Sequence, residues 1–253
     1  MQTGRTGYNE YDDKSHDVKG EVTEYVLPKY IPNLHNGVFV GLPGKTPVDL
    51  PLLYRHGIID DTTIVECVYD PEKADMKGRW DLKRVSFEVN LKRHLKRNGV
   101  GDAFIGKCLN FHYSDIRYYF PGKFPDGRKI GAMYIDTCNE YYAEFPLWLN
   151  EVDDSIESGA AVLFNFSFIF GNPKIALPKN PRTTCPFRMF NMKDGMERIR
   201  RQELSMAAND FLGVLDYKGN HKYELLELVS YRNNQTEDNR NPCRMGIMVF
   251  RKK

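Results

Sequence analysis

AAVLFNFSFIF, residues 160–170, carries no formally charged side chain. A run that short and that apolar fits a strand covered on both faces, as in a parallel sheet flanked by helices. GVFVG (37–41), TTIVECVYD (62–70), DAFIGKCLNFH (102–112) and KIGAMYIDTC (129–138) read as four more strands. Between them lie segments with helical spacing: PVDLPLLYRHG (47–57), most of 70–99, and EYYAEFPLWLNEVDDSIESG (140–159). In the second of these, Trp80, Leu82, Val85, Val89, Leu91 and Leu95 supply the expected apolar stripe, with Asn98-Gly99 as the stop. A long connection, GNPKIALPKNPRTTCPF, leads to a last helix at 196–215. KYELLELVSYRNN (222–234) and CRMGIMVFRKK (243–253) then stand too close together for a helical crossover, so they pair antiparallel. The whole pattern predicts an α/β fold: a three-layer, doubly wound, mostly parallel sheet closed by a C-terminal antiparallel hairpin.

Composition limits what such a sheet can do. The 253 residues are 41% apolar, enough for a substantial core, and 36 basic residues stand against 34 acidic ones. A net charge of +2 does not coat nucleic acid by bulk attraction, so any DNA or RNA contact must use local patches. No run approaches the roughly 18 apolar residues of a membrane span, and the polar first 21 residues do not read as a signal peptide. Five scattered cysteines without a CxxC pair point to reduced thiols in an intracellular setting, cytoplasmic or host-cytoplasmic, and to no structural zinc. Six histidines form no HExxH or HxH pattern, so no metal centre is expected. Residues 1–35 read as a polar arm, mobile or loosely docked over its first 30 residues and suited to a protein partner; 36–253 read as a single domain.

The turn after the first strand, FVGLPGKTPVDL (39–50), admits three readings. A phosphate-cradling loop needs G-x-x-x-x-G-K-S/T; Gly44-Lys45-Thr46 supplies the end, but Phe39 stands where the first glycine belongs. A cofactor turn of a doubly wound fold would use Gly41 and Gly44 for close backbone approach, with the next helix N-terminus offering free N–H groups. A plain reversal of the chain is the third.

With its terminal hairpin, this element order resembles the class I S-adenosylmethionine-dependent methyltransferase fold over residues 36–253. The resemblance implies S-adenosylmethionine as cofactor and methyl transfer as activity, with nucleic acid as the preferred acceptor. It places the cofactor against Gly41, Leu42 and Gly44, and its ribose at an acid near the end of the second strand. Asp70 is that candidate, with Glu66 less well placed; the usual position falls nearer Val68. Ser114 and Asp115 fall where a polar residue meets the adenine amino group. Tyr134-Ile135-Asp136-Thr137-Cys138-Asn139 occupies the segment facing the acceptor, with Asp136 and Asn139 as candidate catalytic residues. The D/N/S-P-P-Y/F turn of amino-group methylases is absent, Cys138 follows Thr137 where cytosine methylases have proline, and the full G-x-G-x-G spacing is missing. A chain that keeps the fold as a catalytically inactive binding or structural protein is therefore the alternative, and a P-loop-like nucleotide-binding protein the third.

Each candidate also has a plainer role. Asp136 and Asn139 can cap the following helix, and Cys138 can be an inert buried thiol. The aromatics of Asn165-Phe166-Ser167-Phe168 can fill the core or line a pocket. Lys92, Arg93, Lys96 and Arg97 lie largely off the apolar stripe of their helix, as a solvated face or as contacts to nucleic-acid phosphates. Arg198, Arg200 and Arg201 form a second basic group.

Overall fold

A computed structural model describes residues 13–43, 47–69, 80–140, 144–167, 185–190, 197–216, 222–232 and 244–253. Within them the strands are β1 (Val38–Gly41), β2 (Ile64–Val68), β3 (Leu109–His112), β4 (Ile130–Glu140), β5 (Ile156–Ser167), β6 (Phe187–Phe190), β7 (Tyr223–Arg232) and β8 (Arg244–Lys252). The helices are α1 (Asp13–Tyr30), α2 (Asp49–Arg55), α3 (Trp80–Arg97), α4 (Asp102–Lys107), α5 (Glu144–Glu151) and α6 (Glu197–Leu215).

All eight strands form one sheet in the order β3-β2-β1-β4-β5-β8-β7-β6. From β3 to β5 every neighbour is parallel; β8 alone runs against its neighbours, inserted between β5 and β7. The five-strand parallel half and the reversed terminal strand bear out the methyltransferase-like architecture expected from the element order. The short parallel edge strand β6 was not foreseen; it starts at the last residue of the connection GNPKIALPKNPRTTCPF and pairs with β7.

Strand alternation divides the core into two layers. Phe39, Cys67, Ala132, Tyr134, Leu163, Val229 and Ile247 face α1, α2, α3 and α4. Val40, Val68, Met133, Ile135, Phe164, Leu228 and Phe250 face α5 and α6. Because β1 has β2 on one side and β4 on the other, winding reverses between β1 and β4. The crevice of such a sheet opens there, beyond the carboxyl ends of the strands.

Four details differ from the sequence reading. DAFIGKCLNFH is not one strand: Asp102–Lys107 is helical and only Leu109–His112 pairs. Among the described residues, the helix expected over 140–159 covers Glu144–Glu151, and β5 starts early, at Ile156. In α3 the buried line is Phe87, Leu91 and Leu95, four residues apart, whereas Val85 and Val89 are 61% and 46% exposed.

The fourth difference concerns residues 13–30, read as part of a mobile or loosely docked arm. They form α1, whose Val18, Val22, Val26 and Leu27 are buried in the first core layer. Buried Glu227 of β7 anchors the end of this helix, accepting from Tyr25 (2.9 Å), Tyr30 (2.6 Å) and Lys29 (3.1 Å). A helix held this way is core, not arm. Leu27→Ala is therefore expected to cost about 2–5 kcal/mol in urea unfolding. A change within about 0.5 kcal/mol is what an undocked segment would give.

Candidate functional site

The edge of the sheet at the winding reversal carries a polar cluster built from four elements. Asp136 of β4 stands opposite Asn165 of β5 in the parallel ladder, and both side chains point to the α1 side. Lys19, from the first turns of α1, pairs with Asp136 at 2.5 Å, and each side chain is only 10% exposed. Asn165 donates to the other Asp136 oxygen (3.1 Å) and sits 2.9 Å from the Tyr231 hydroxyl, which donates back to its carbonyl oxygen (3.2 Å). The Tyr134 hydroxyl accepts a longer bond from Asn165 at 3.4 Å. Thr137 donates to the Asn165 backbone carbonyl, fixing the ends of β4 and β5 together.

Asp49, in the first turn of α2, completes the charge balance. It is fully buried, and its carboxyl is pushed up to about 6; burial is the main cause, and Asp136 raises it further against the opposing pull of Lys19. One ammonium thus serves two carboxylates in a site shielded from water. Tyr134 is also held protonated well above its ordinary range, by burial first and by Asp136 second.

Several sequence candidates take definite places. Asp136 is not a helix cap, because β4 continues past it to Glu140; Asn139 lies within that strand and is no cap of α5, and its side chain, like that of Cys138, lies outside the described residues. Gly41 ends β1 beside Tyr134, at the reversal. A Cβ there would meet the buried Phe39 ring at 2.9 Å, so a larger residue would force that ring to shift. Leu42 packs toward the α5–α6 layer. Gly44, Lys45, Thr46 and Asp70 lie outside the described residues.

Glu66 points to the opposite face, buried in mid-strand, and accepts from Asn110 (2.8 Å), Tyr119 (3.0 Å) and His112. Burial alone would raise its carboxyl; these donors hold it below the ordinary range instead. Asp115 caps a 3-10 turn and grips Arg117 through both oxygens, at 3.1 and 2.7 Å. The intended adenine contact is thus fully engaged within its own loop. On α3, Lys96 bonds Asp102 (2.9 Å) and Lys92 pairs with Glu88 (3.8 Å), while Arg93 and Arg97 are exposed.

Sequence reading missed Lys19, Asp49 and Tyr231. Lys19 was hidden in the segment taken as an arm. The signal for α1 was there in Val18, Val22 and Val26 at four-residue spacing. A groove of about 630 Å³ lies at the other end of the sheet, lined by residues such as His35, Arg128 and Glu157. Open α/β sheets take their ligands at the carboxyl ends, so the Lys19–Asp136 edge is the better candidate despite that groove.

No family model and no curated protein matches the chain. Solved structures resemble its course. A SAM-dependent methyltransferase from Thiobacillus denitrificans in complex with S-adenosyl-L-homocysteine is 12% identical, with TM-score 0.49 and all of both chains covered. One from Geobacter sulfurreducens, also with S-adenosyl-L-homocysteine, is 13% identical at TM-score 0.48, covering 98% of this chain and 96% of that one. M. jannaschii TYW2 in complex with AdoMet is 9% identical at TM-score 0.46, covering 96% and 78%.

The buried Asp49 makes stability depend on pH. Its native value of about 6 exceeds the ordinary 3.8, so the folded state binds the extra proton between those limits. The carboxylate therefore weakens the fold above pH 6, and that penalty fades as pH falls toward 4. Asp49→Asn is expected to stabilise the protein at pH 8 by up to about 3 kcal/mol, with the gain gone near pH 4. A gain that does not vary with pH in denaturant titrations contradicts the assignment.

Proposed function

We propose that the chain is an S-adenosylmethionine-dependent methyltransferase acting on nucleic acid. The carrying observation is the mixed-charge cluster at the winding reversal, where Lys19, Asp49 and Asp136 meet beside the end of β1. Its donor set suits the amino-acid end of S-adenosylmethionine, an ammonium and a carboxylate side by side. Lys19 would hold the carboxylate, and Asp49 the ammonium. Such a partner also gives Asp49 a cation that it now shares with Asp136.

Bound there, S-adenosylmethionine supplies a methyl group on a sulfonium centre. The protein's part in an in-line displacement is alignment, exclusion of water and removal of one proton from the acceptor. Gly41 and Leu42, with Gly44, would carry the backbone past the cofactor, and Asp70 would take the ribose hydroxyls. Asp136, with Asn165 locking one oxygen, would orient the acceptor and receive its proton. Asn139 would lie further along the same strand. Methyl transfer to nucleic acid fits a chain whose charge is balanced overall and whose cations are local.

A second reading is favoured by one specific contact. The Lys19–Asp136 pair closes the edge so tightly that no acceptor reaches Asp136 unless the start of α1 moves. A methyltransferase-like binding protein without catalysis would keep it so. Calorimetry tests the enzymatic reading. Binding heat is expected with S-adenosylmethionine, and Lys19→Ala is expected to weaken affinity about tenfold or more while the variant stays folded. No heat from folded protein at millimolar ligand removes the enzymatic reading.

A further inference from the structure

In a doubly wound sheet the connection from β3 to β4 is a crossover that normally lays a helix on one face. Here residues 113–129 make that crossover with two 3-10 turns, Ile116–Tyr118 and Pro125–Gly127, and no α-helix. The segment leaves the carboxyl end of β3 and returns to the start of β4, where Arg128 donates to the Thr62 carbonyl at 3.0 Å. Two aromatic rings stand out from it: Tyr118 is 71% exposed and Phe120 57%.

The backbone that carries these rings is anchored. Tyr119 between them is buried; its hydroxyl donates to Glu66 at 3.0 Å and its carbonyl accepts from the Trp148 indole at 2.7 Å. With Tyr119 turned into the core, Tyr118 and Phe120 are forced outward on either side. Ile116 is buried beneath the same turn, and Arg117 is clamped by Asp115. Two exposed rings on an anchored backbone require little backbone ordering when a flat partner stacks on them. Lys123, three residues beyond Phe120, adds an exposed cation on the same stretch of the segment.

We infer that this connection is a binding surface for single-stranded nucleic acid, with Tyr118 and Phe120 stacking on unpaired bases and Lys123 meeting the backbone. Bases offer flat faces to aromatic rings, and the phosphates offer negative charge to Lys123 beside them. Duplex offers the charge but hides the base faces, so single strands are preferred. The segment leaves β3 at the carboxyl end of the sheet, the end at which Asp136 lies on β4, and the inference rests on the nucleic-acid part of the reading above.

Fluorescence anisotropy with labelled oligouridylate and oligodeoxythymidylate tests it. The intact protein should bind both, and a duplex of matched length at least tenfold more weakly. Each of Tyr118→Ala and Phe120→Ala should weaken single-strand binding about 5- to 100-fold. Tyr118→Trp with Phe120→Trp should retain it, and Lys123→Ala should flatten the salt dependence by about 0.7. S-adenosylmethionine affinity should not change in the ring variants, so loss of strand binding is separable from failure of the cofactor reading. The inference is overturned if no single strand binds, if removing the rings leaves binding unchanged, or if duplex binds equally well. It is also overturned if the rings prove to serve only self-association of the protein.

Discussion

The contact between Lys19 and Asp136 ties the start of the chain to the centre of the sheet. Two charges at 2.5 Å, each nine-tenths shielded, lose much of their hydration. Such a pair persists only when its remaining hydrogen-bonding capacity is met. Asn165 meets it on the Asp136 side and is itself held by Tyr231. Asp49 depends on the same ammonium, so losing Lys19 would strand two carboxylates in a medium of low dielectric. Helix α1, strands β4, β5 and β7, and the first turn of α2 are thereby coupled through one polar knot.

That knot occupies the place where a wound sheet offers a ligand its best approach. In the proposed function, the groups that tie the structure together are also those that would meet the ligand. A zwitterionic ligand could exchange with the internal pair at little net electrostatic cost, replacing one set of opposite charges by another. On the other face, Glu66 solves a comparable problem without any cation fully buried beside it. Three donors from β3 and its following loop satisfy the carboxylate, and the loop gains an anchor where no helix covers the sheet.

The parallel half of the sheet was legible because its strands are charge-free or nearly so, and AAVLFNFSFIF leaves few alternatives. The terminal hairpin was legible from the shortness of its loop. Helix α1 was not, because Val18, Val22 and Val26 are diluted by Lys19, Gly20 and Thr23, and Pro28 suggests a break. The α3 stripe held at Leu91 and Leu95 and failed at Val85 and Val89: two apolar lines run along that helix, and only packing decides that the one with Phe87 faces inward. Asp136 was found from its place on β4, but its partner came from a distant segment. Sequence spacing marks which face a residue takes and says nothing of a charge arriving from another element.

A double-mutant cycle on Lys19→Met and Asp136→Asn, read by urea unfolding at pH 7, tests the central claim most directly. The account predicts that the two substitutions are strongly non-additive, with a coupling of about 2 kcal/mol or more. Additivity to within about 0.5 kcal/mol would mean that α1 and the sheet edge are not joined by this pair.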